Sequence, residues 1–216
     1  MSGPMCSRRP FLAVVALLPL LAGCGGLLSS PPQRQLYRVV PSFNFPLGLR
    51  HSSAQLLVTA PTAPAGLDSR RMALSRMPVS LDYYADGEWT DRAPFLVQDA
   101  LVEGFEKSGA LPAVASDRGG LSADFVLDTS IDDFTAHYDS PEKAPIVRVA
   151  LTAKLVRMPD RKIIAHTSVA RAQRAAADTL PDIVRAFDAA LGGASQQVVV
   201  WTVSDPALSS RRRSAR

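Results

Sequence analysis

The side chain best placed for covalent chemistry is the thiol of Cys24, which follows a short apolar run near the start of the chain. Residues 11–21 are apolar and stand behind Arg8 and Arg9, and Ala22 and Gly23 separate them from the cysteine. At 11 residues the run is too short to span a bilayer, and this order of charge, apolar core and small residues is typical of an export leader. Only a thiol at position 24 is nucleophilic enough to take up a lipid.

Leu21, Ala22, Gly23 and Cys24 together resemble the bacterial lipobox. The resemblance implies a thioether-linked diacylglycerol on Cys24, cleavage between Gly23 and Cys24, and acylation of the new amine. The alternatives are an ordinary signal peptide with a chance cysteine, or a short membrane anchor. Residues 7–12 resemble a twin-arginine export signal, although two arginines also suit an ordinary leader.

Composition narrows the classes of function. Six of the 24 basic residues lie at positions 8–9 and 211–216, which leaves 18 basic against 20 acidic residues between 24 and 210. A nucleic-acid-binding domain carries its basic charge on a folded face, so this class is not expected. The two cysteines are Cys6 and Cys24, so the processed chain is expected to hold neither a disulfide nor a thiolate metal site.

The rest of the chain divides into a tether, one domain and a tail. Residues 24–35 are rich in Gly, Ser and Pro and are predicted to be a flexible tether. The domain is predicted over 36–203, and 204–216 are predicted to be a disordered basic tail, which could also touch anionic headgroups. Strands are predicted at 36–40, 55–59, 71–75 and 80–84, the segment 41–54 is predicted to be loop, and 110–114 are expected to start another strand.

Two helices are predicted from apolar spacing. The first lies within 86–109, with Thr90 or Asp91 as its cap, Pro94 in its first turn and Gly109 at its end. The second starts at Thr179, which stands at capping-box spacing from Asp182. Its apolar stripe runs to Val198, and a bend or break is expected at 192–193, where two glycines weaken the helix.

Between the helices, three segments alternate apolar and polar residues with a period of two. This pattern predicts a three-stranded antiparallel meander with one buried face. The buried sets are Ala123, Phe125, Leu127, Thr129 and Ile131; Val147, Val149, Leu151, Ala153 and Leu155; and Ile163, Ala165, Thr167 and Val169. The predicted fold class is α+β: an antiparallel or mixed sheet with two main helices packed on one face, forming a single periplasmic domain.

Few residues suggest catalysis. His51, His137 and His166 lie apart in the sequence, and no nucleophile elbow, zinc-protease motif or phosphate-binding loop is found. The acidic row Asp124, Asp128, Asp132 and Asp133 follows one strand, so it is interpreted as a solvated sheet face in preference to a calcium site. We therefore predict a protein that is not an enzyme and that has no catalytic residue, metal or cofactor.

Aromatic residues cluster ahead of the first long helix. Tyr83, Tyr84 and Trp89 are interpreted as core or rim residues in preference to a ligand cage, and they are also the first candidates for a partner surface.

The order of these segments resembles the ABC-type transport auxiliary lipoprotein family, which serves lipid transport systems built around an MCE-domain substrate-binding protein. The stretches that carry the resemblance lie at 36–39, 55–58, 83–109, 123–134, 147–169 and 186–202. The resemblance implies a non-enzymatic periplasmic domain that assists an inner-membrane permease, a cytoplasmic ATPase and an MCE protein in moving phospholipid or another apolar molecule. A homo-oligomer is also expected. Gly25 stands where an aspartate would signal inner-membrane retention, which implies the periplasmic face of the outer membrane.

Two other hypotheses remain open. The chain could be an envelope-assembly lipoprotein that partners an outer-membrane barrel or a Tol-like complex. It could also bind lipid itself, in a cavity between the apolar sides of the sheet and the helices.

Overall fold

The computed structural model of the protein describes residues 34–119, 122–140 and 142–209. The predicted leader, Cys24 and the tether up to residue 33 lie outside the described residues, as do 210–216. The strands are β1 Gln35–Tyr37, β2 Gln55–Val58, β3 Arg71–Ser75, β4 Asp82–Trp89, β5 Ala113–Ser116, β6 Phe125–His137, β7 Ile146–Arg157 and β8 Lys162–Arg174. The helices are α1 Ala93–Ser108, α2 Leu180–Ser204 and the short α3 Pro206–Ser209, with a single 3-10 turn at Asp117–Gly119.

Strand β6 organises a mixed sheet of eight strands. One of its edges pairs with β7 along the whole length from Phe125 to His137. Its other edge is divided, because residues 125–127 pair in parallel with β2 and residues 136–137 pair in parallel with β3. Beyond these, β5 joins β2, β4 joins β3, β1 joins β4, and β8 joins β7. The two main helices pack against this sheet, so the predicted α+β class is confirmed.

The predicted antiparallel meander is β6, β7 and β8. The five apolar residues predicted on the inner face of β7 are all buried, because α2 packs over them. In β8 the prediction fails at Ile163, which is 55% exposed. A register shift beside Leu155 displaces this end of β8 by one residue, and Ile164 packs against the core in its place.

Helix α1 begins later than the sequence pattern suggests. Residues 86–89 belong to β4, and the N-cap position is Arg92, whose side chain makes no capping hydrogen bond. Pro94 does lie in the first turn, and the helix ends at Gly109 in the left-handed conformation with φ of 61°. Glycine adopts this conformation without steric cost, which explains why the helix stops there.

Helix α2 runs unbroken from Leu180 to Ser204, so the two glycines at residues 192–193 do not break it. Its start is as predicted, because the Thr179 hydroxyl accepts a hydrogen bond from the backbone N–H of Asp182. The glycine at 192 has a packing role: a Cβ there would lie 2.6 Å from the carbonyl oxygen of Ser42. The helix therefore keeps Gly192 because another stretch of backbone lies directly on it.

That stretch is the segment 40–52, which we call the strap. The backbone N–H of Val40 donates to the Asp188 carboxylate, and that of Asn44 donates to the side-chain oxygen of Gln196. Eight residues further along, the Ser52 hydroxyl donates to the carbonyl of Leu208. The strap was predicted to be loop, and it has no regular secondary structure; it follows α2 towards the helix C-terminus.

The predicted disordered tail is wrong in its first residues. Helix α2 extends to Ser204, and α3 follows at once. Leu208 in α3 is only 2% exposed, because it packs into the core at the end of α2. The domain therefore extends beyond the predicted boundary at residue 203.

Candidate functional site

Of the three aromatic residues predicted as a partner surface, Trp89 is excluded from that role. Its side chain is 0% exposed. Its ring centroid lies 5.8 Å from that of Phe134 and 5.0 Å from that of Phe187, in a near-perpendicular contact with the latter. Phe134 and Phe187 are themselves 4.8 Å apart. These three rings join the sheet to α2, so Trp89 is a core residue.

Tyr83 and Tyr84 are half-buried and hold the local structure together. The Tyr83 hydroxyl donates to the Gly66 carbonyl at 2.9 Å, and the guanidinium of Arg71 lies 3.4 Å from the centre of its ring. Both the hydroxyl and the ring of Tyr83 therefore make contacts within the domain.

Tyr84 belongs to a chain of hydroxyl contacts that links three elements. The Tyr138 hydroxyl donates to the Asp178 carboxylate at 2.6 Å, so the Tyr84 hydroxyl, 3.0 Å from that of Tyr138, is the donor in their contact. Burial raises the pKa of Tyr84 well above its ordinary value, and the hydrogen bond to Tyr138 adds to this rise. Burial also raises the pKa of Tyr138, followed by its hydrogen bond to Asp178. Both hydroxyls are therefore neutral hydrogen-bonding groups near pH 7.

This tyrosine cluster marks one end of the domain, where several connections meet. The backbone N–H of Tyr138 donates to the carbonyl of Ser75, and that of Ala175 donates to the carbonyl of Pro145. The β3–β4 connection, the β6–β7 connection and the segment that leads into α2 are therefore neighbours. We call this region the loop end of the domain.

The β3–β4 connection, residues 76–81, is the most unusual part of the loop end, and we call it the hairpin tip. Val79 is 95% exposed, Met77 is 60% exposed and Leu81 is 41% exposed. The sequence reasoning did not single out these residues. The signal was present, because Met-Pro-Val-Ser-Leu places three large apolar residues where a turn ordinarily carries polar ones.

The polar side chains that could do chemistry do not converge. His137 contacts the Asp133 carboxylate at 3.0 Å, His51 contacts the carbonyl of Gly109, and His166 is exposed on β8. Within the described ranges, no three His, Cys, Asp or Glu side chains are grouped so that they could hold a metal ion.

The acidic row of β6 separates into local contacts. The Asp124 carboxylate accepts from the backbone N–H of Gln55, Asp132 accepts from the Thr152 hydroxyl, and Asp133 also faces Arg148. A register shift between Ile131 and Asp133 turns the last part of the strand, so these carboxylates do not form one continuous row.

Comparison with known proteins identifies the family. The family model described as "ABC-type transport auxiliary lipoprotein component" matches residues 46–199, which is well over half of the chain.

The chain belongs to the ABC-type transport auxiliary lipoprotein family.

Relatives agree with this membership. Protein bll6063 of Bradyrhizobium diazoefficiens is 30% identical over 193 residues, which cover 88% of this chain and 49% of that protein. The chain thus spans about half the length of this curated relative. The crystal structure of protein XCC0632 from Xanthomonas campestris is 26% identical, with a TM-score of 0.73 over 78% of this chain and 94% of that one. A further crystal structure, of an uncharacterized protein, shares the fold at 14% identity with a TM-score of 0.58, covering 79% and 96% of the two chains.

The family is described as a lipoprotein component auxiliary to ABC-type transport, and it is not a known enzyme family. In the part of the chain that the structure covers, none of the helices combines the length and apolarity needed to cross a membrane.

Proposed function

We propose that the protein is an outer-membrane lipoprotein that assists an ABC transporter of the MCE type in moving phospholipid or another apolar molecule across the periplasm. Its partners would be an MCE-domain substrate-binding protein, the permease and the ATPase. The observation that carries the proposal is the match of residues 46–199 to a family of transport lipoproteins, in a chain that also places Cys24 directly after Leu21, Ala22 and Gly23.

Lipid on Cys24 would supply the attachment. Each buried methylene contributes about 0.8 kcal/mol, and a single acyl chain holds a protein only weakly. Three chains, two on the thioether-linked glycerol and one on the amine, would keep the domain on the membrane over the lifetime of a cell. Gly25 supports the outer membrane as the destination, because no aspartate follows the modified cysteine.

Packing within the domain argues against the alternative in which lipid is held between the sheet and the helices. The rings of Trp89, Phe134 and Phe187 lie in contact between these layers. The apolar sides that would have to line a cavity therefore pack against each other. The alternative of an envelope-assembly lipoprotein, partnering a barrel or a Tol-like complex, is distinguished by experiment.

The test is affinity capture of the full-length chain from its own envelope, comparing the natural sequence with Cys24→Ala. The matched control is Cys6→Ala, which removes the other cysteine and leaves the predicted attachment site intact. We expect the natural chain and Cys6→Ala to be lipidated and to capture an MCE protein. We expect Cys24→Ala to be released or to persist as an uncut precursor, and to lose this partner.

Two results would contradict the proposal. Capture of a barrel or Tol-like assembly without an MCE protein would favour envelope assembly. An unmodified Cys24 in the purified natural chain, shown by mass spectrometry, would remove the lipid attachment.

A further inference from the structure

The hairpin tip concentrates the exposed apolar surface of the domain. Seven large hydrophobic side chains are exposed among the residues that the structure describes, and three of them lie within the five residues 77–81. Scattered exposed apolar residues are ordinary on a protein surface, whereas several at one projecting turn indicate a contact with another apolar body.

Two hydrogen bonds and one packing contact fix the conformation of the hairpin tip. The Ser75 hydroxyl donates to the carbonyl of Met77 at 2.7 Å, and the backbone N–H of Ser80 donates to the same carbonyl at 3.0 Å. The Leu81 side chain rests against Gly66, where any Cβ would lie only 2.5 Å from it. Leu81 thus packs at the base of the turn, while Met77 and Val79 project from it.

The chain enters the domain close to the same end. Strand β1 runs parallel to β4, and its first residue, Gln35, lies opposite Gly87. Gly87 is in turn close to the side chain of Leu180, the first residue of α2, and α2 begins at the loop end. Because β4 starts at Asp82 and β1 runs parallel to it, Gln35 is the end of β1 that lies nearer the hairpin tip.

Chain length makes this proximity relevant to attachment. Gly87 lies five positions after Asp82, so Gln35 lies at most about 18 Å along β4 from the start of that strand. Gln35 lies eleven positions after Cys24, and a fully extended chain of this length reaches at most about 40 Å. The chain between Cys24 and Gln35 is therefore long enough for the loop end to touch the bilayer that holds the lipid of Cys24.

We propose that the hairpin tip inserts Met77 and Val79 into the same bilayer that holds the lipid of Cys24, and so fixes which end of the domain faces the membrane. This inference rests on the proposed lipid attachment. The occupant of the tip is the bilayer surface, because the predicted tether connects to the domain at β1, and Gln35 is the end of β1 that lies nearer the tip.

Charges around the tip indicate that the contact is mainly apolar. The guanidinium of Arg76 is placed over the ring of Tyr138, 4.6 Å from its centre. Glu142 and Lys143 are adjacent and of opposite charge in the neighbouring connection, and Arg76 and Asp82 lie at the two ends of the tip. With basic and acidic groups in similar number, attraction to anionic lipid is small, and insertion should change little between low and high salt.

The experiment uses the full-length lipidated chain in vesicles of phosphatidylethanolamine and phosphatidylglycerol, with a polarity-sensitive fluorophore on Val79→Cys. If Cys6 leaves with the leader and Cys24 carries lipid, the introduced cysteine is the sole free thiol. The matched control is Ile163→Cys, because Ile163 is also an exposed large apolar residue but lies at the start of β8, by the other end of β6. Quenchers attached to the lipid acyl chains report the depth of each label.

We expect a blue-shifted emission and loss of most of the fluorescence to acyl-chain quenchers at position 79, with neither effect at position 163. Adding Met77→Asp to the labelled chain should restore the emission of water-exposed label without releasing the protein from the vesicles. A lipidated, vesicle-bound chain whose label at 79 stays in water would overturn the insertion and leave the lipid attachment standing. A chain with unmodified Cys24 would overturn both.

Discussion

Two adjacent glycines in the middle of α2 have different surroundings. A Cβ at Gly192 would lie 2.6 Å from the carbonyl oxygen of Ser42, which is backbone. A Cβ at Gly193 would come no closer than 3.3 Å to the Arg171 side chain, which is flexible. The same substitution should therefore have opposite effects at neighbouring positions.

We expect Gly192→Ala to lower the free energy of unfolding by about 1–3 kcal/mol, because the strap must move away from the helix. We expect Gly193→Ala to be neutral or to raise it by up to about 1 kcal/mol, since alanine favours the helix. Urea unfolding of the two variants and the natural chain measures both effects. Equal effects at the two positions would contradict the close approach of the strap.

The tyrosine cluster makes stability depend on pH on the alkaline side. Burial raises the pKa of Tyr84 in the folded chain, whereas in the unfolded chain this hydroxyl ionises near its ordinary value of 10.0. The contribution is therefore fully present below pH 10 and is lost as the pH rises further, by at most about 1.4 kcal/mol per pH unit for one group.

We expect Tyr84→Phe to show a shallower decline of the melting temperature than the natural chain above pH 10. Tyr138 still titrates in this variant, so a residual slope should remain. Melting curves recorded between pH 8 and 11 make the comparison. Parallel declines for the two chains would show that the Tyr84 hydroxyl is not protected by the fold.

Residue types alone could not separate the core aromatic residue from its neighbours. Trp89 was grouped with Tyr83 and Tyr84 by proximity in the sequence, yet only Trp89 is fully buried. The pairing of β3 with β4 shifts register between Arg71 and Ala73, and this irregularity breaks the alternation that would have marked one face of β4. The residues next to Gly192 in the sequence likewise do not indicate that the backbone of Ser42 packs against it.

Among the elements, the strap depends on side chains that fill the groove between the two main helices. Phe43 contacts Gly104 of α1 and stacks at 5.8 Å on Phe45, and Val199 of α2 also faces Gly104. Leu47, in the same strap, is fully exposed. Phe43 and Leu47 lie in the same segment but differ in burial, so substitutions at these two positions can be compared directly.

We expect Phe43→Ala to cost roughly half of the 3–5 kcal/mol typical of a fully buried phenylalanine, because Phe43 is half-buried. It should also speed proteolysis within residues 40–52. Leu47→Ala should leave both the unfolding curve and the proteolysis rate unchanged. If the two variants behave alike, the strap is not held by its aromatic contacts.

Elements with a regular period were predictable, and those defined by long-range pairing were not. The meander of β6, β7 and β8 follows directly from alternation, and α1 and α2 follow from apolar spacing. The parallel pairings of β6 with β2 and β3 join segments far apart in the sequence, which no local pattern reveals. The strap has no regular period, since its order comes from contacts with α1 and α2.

At the scale of the whole molecule, the sheet separates two ends. Strand β6 has 13 residues and therefore spans about 40 Å between the loop end and the β7–β8 turn. If the hairpin tip faces the membrane, the end that carries Ile163 faces away from it, where a partner protein would approach.

We expect a photoreactive amino acid at Ile163 to crosslink an MCE partner in intact cells more strongly than one at Val79. Ile163 and Val79 are both exposed apolar positions, so their intrinsic reactivity is comparable. Mass spectrometry of the crosslinked bands identifies the partner. A partner captured preferentially through Val79 would place the docking surface at the loop end instead.

The pairing of β1 with β4 also has a mechanical consequence. Three register pairs join the strands, beginning at Gln35, and the guanidinium of Arg34 pairs with the Glu88 carboxylate beside them. A force drawn along the chain ahead of Gln35, in line with the strand, loads these bonds in shear and shares the tension among them. An edge strand peeled sideways would lose its bonds one at a time. If the predicted tether is pulled in this direction, β1 would therefore resist detachment by loading several hydrogen bonds at once.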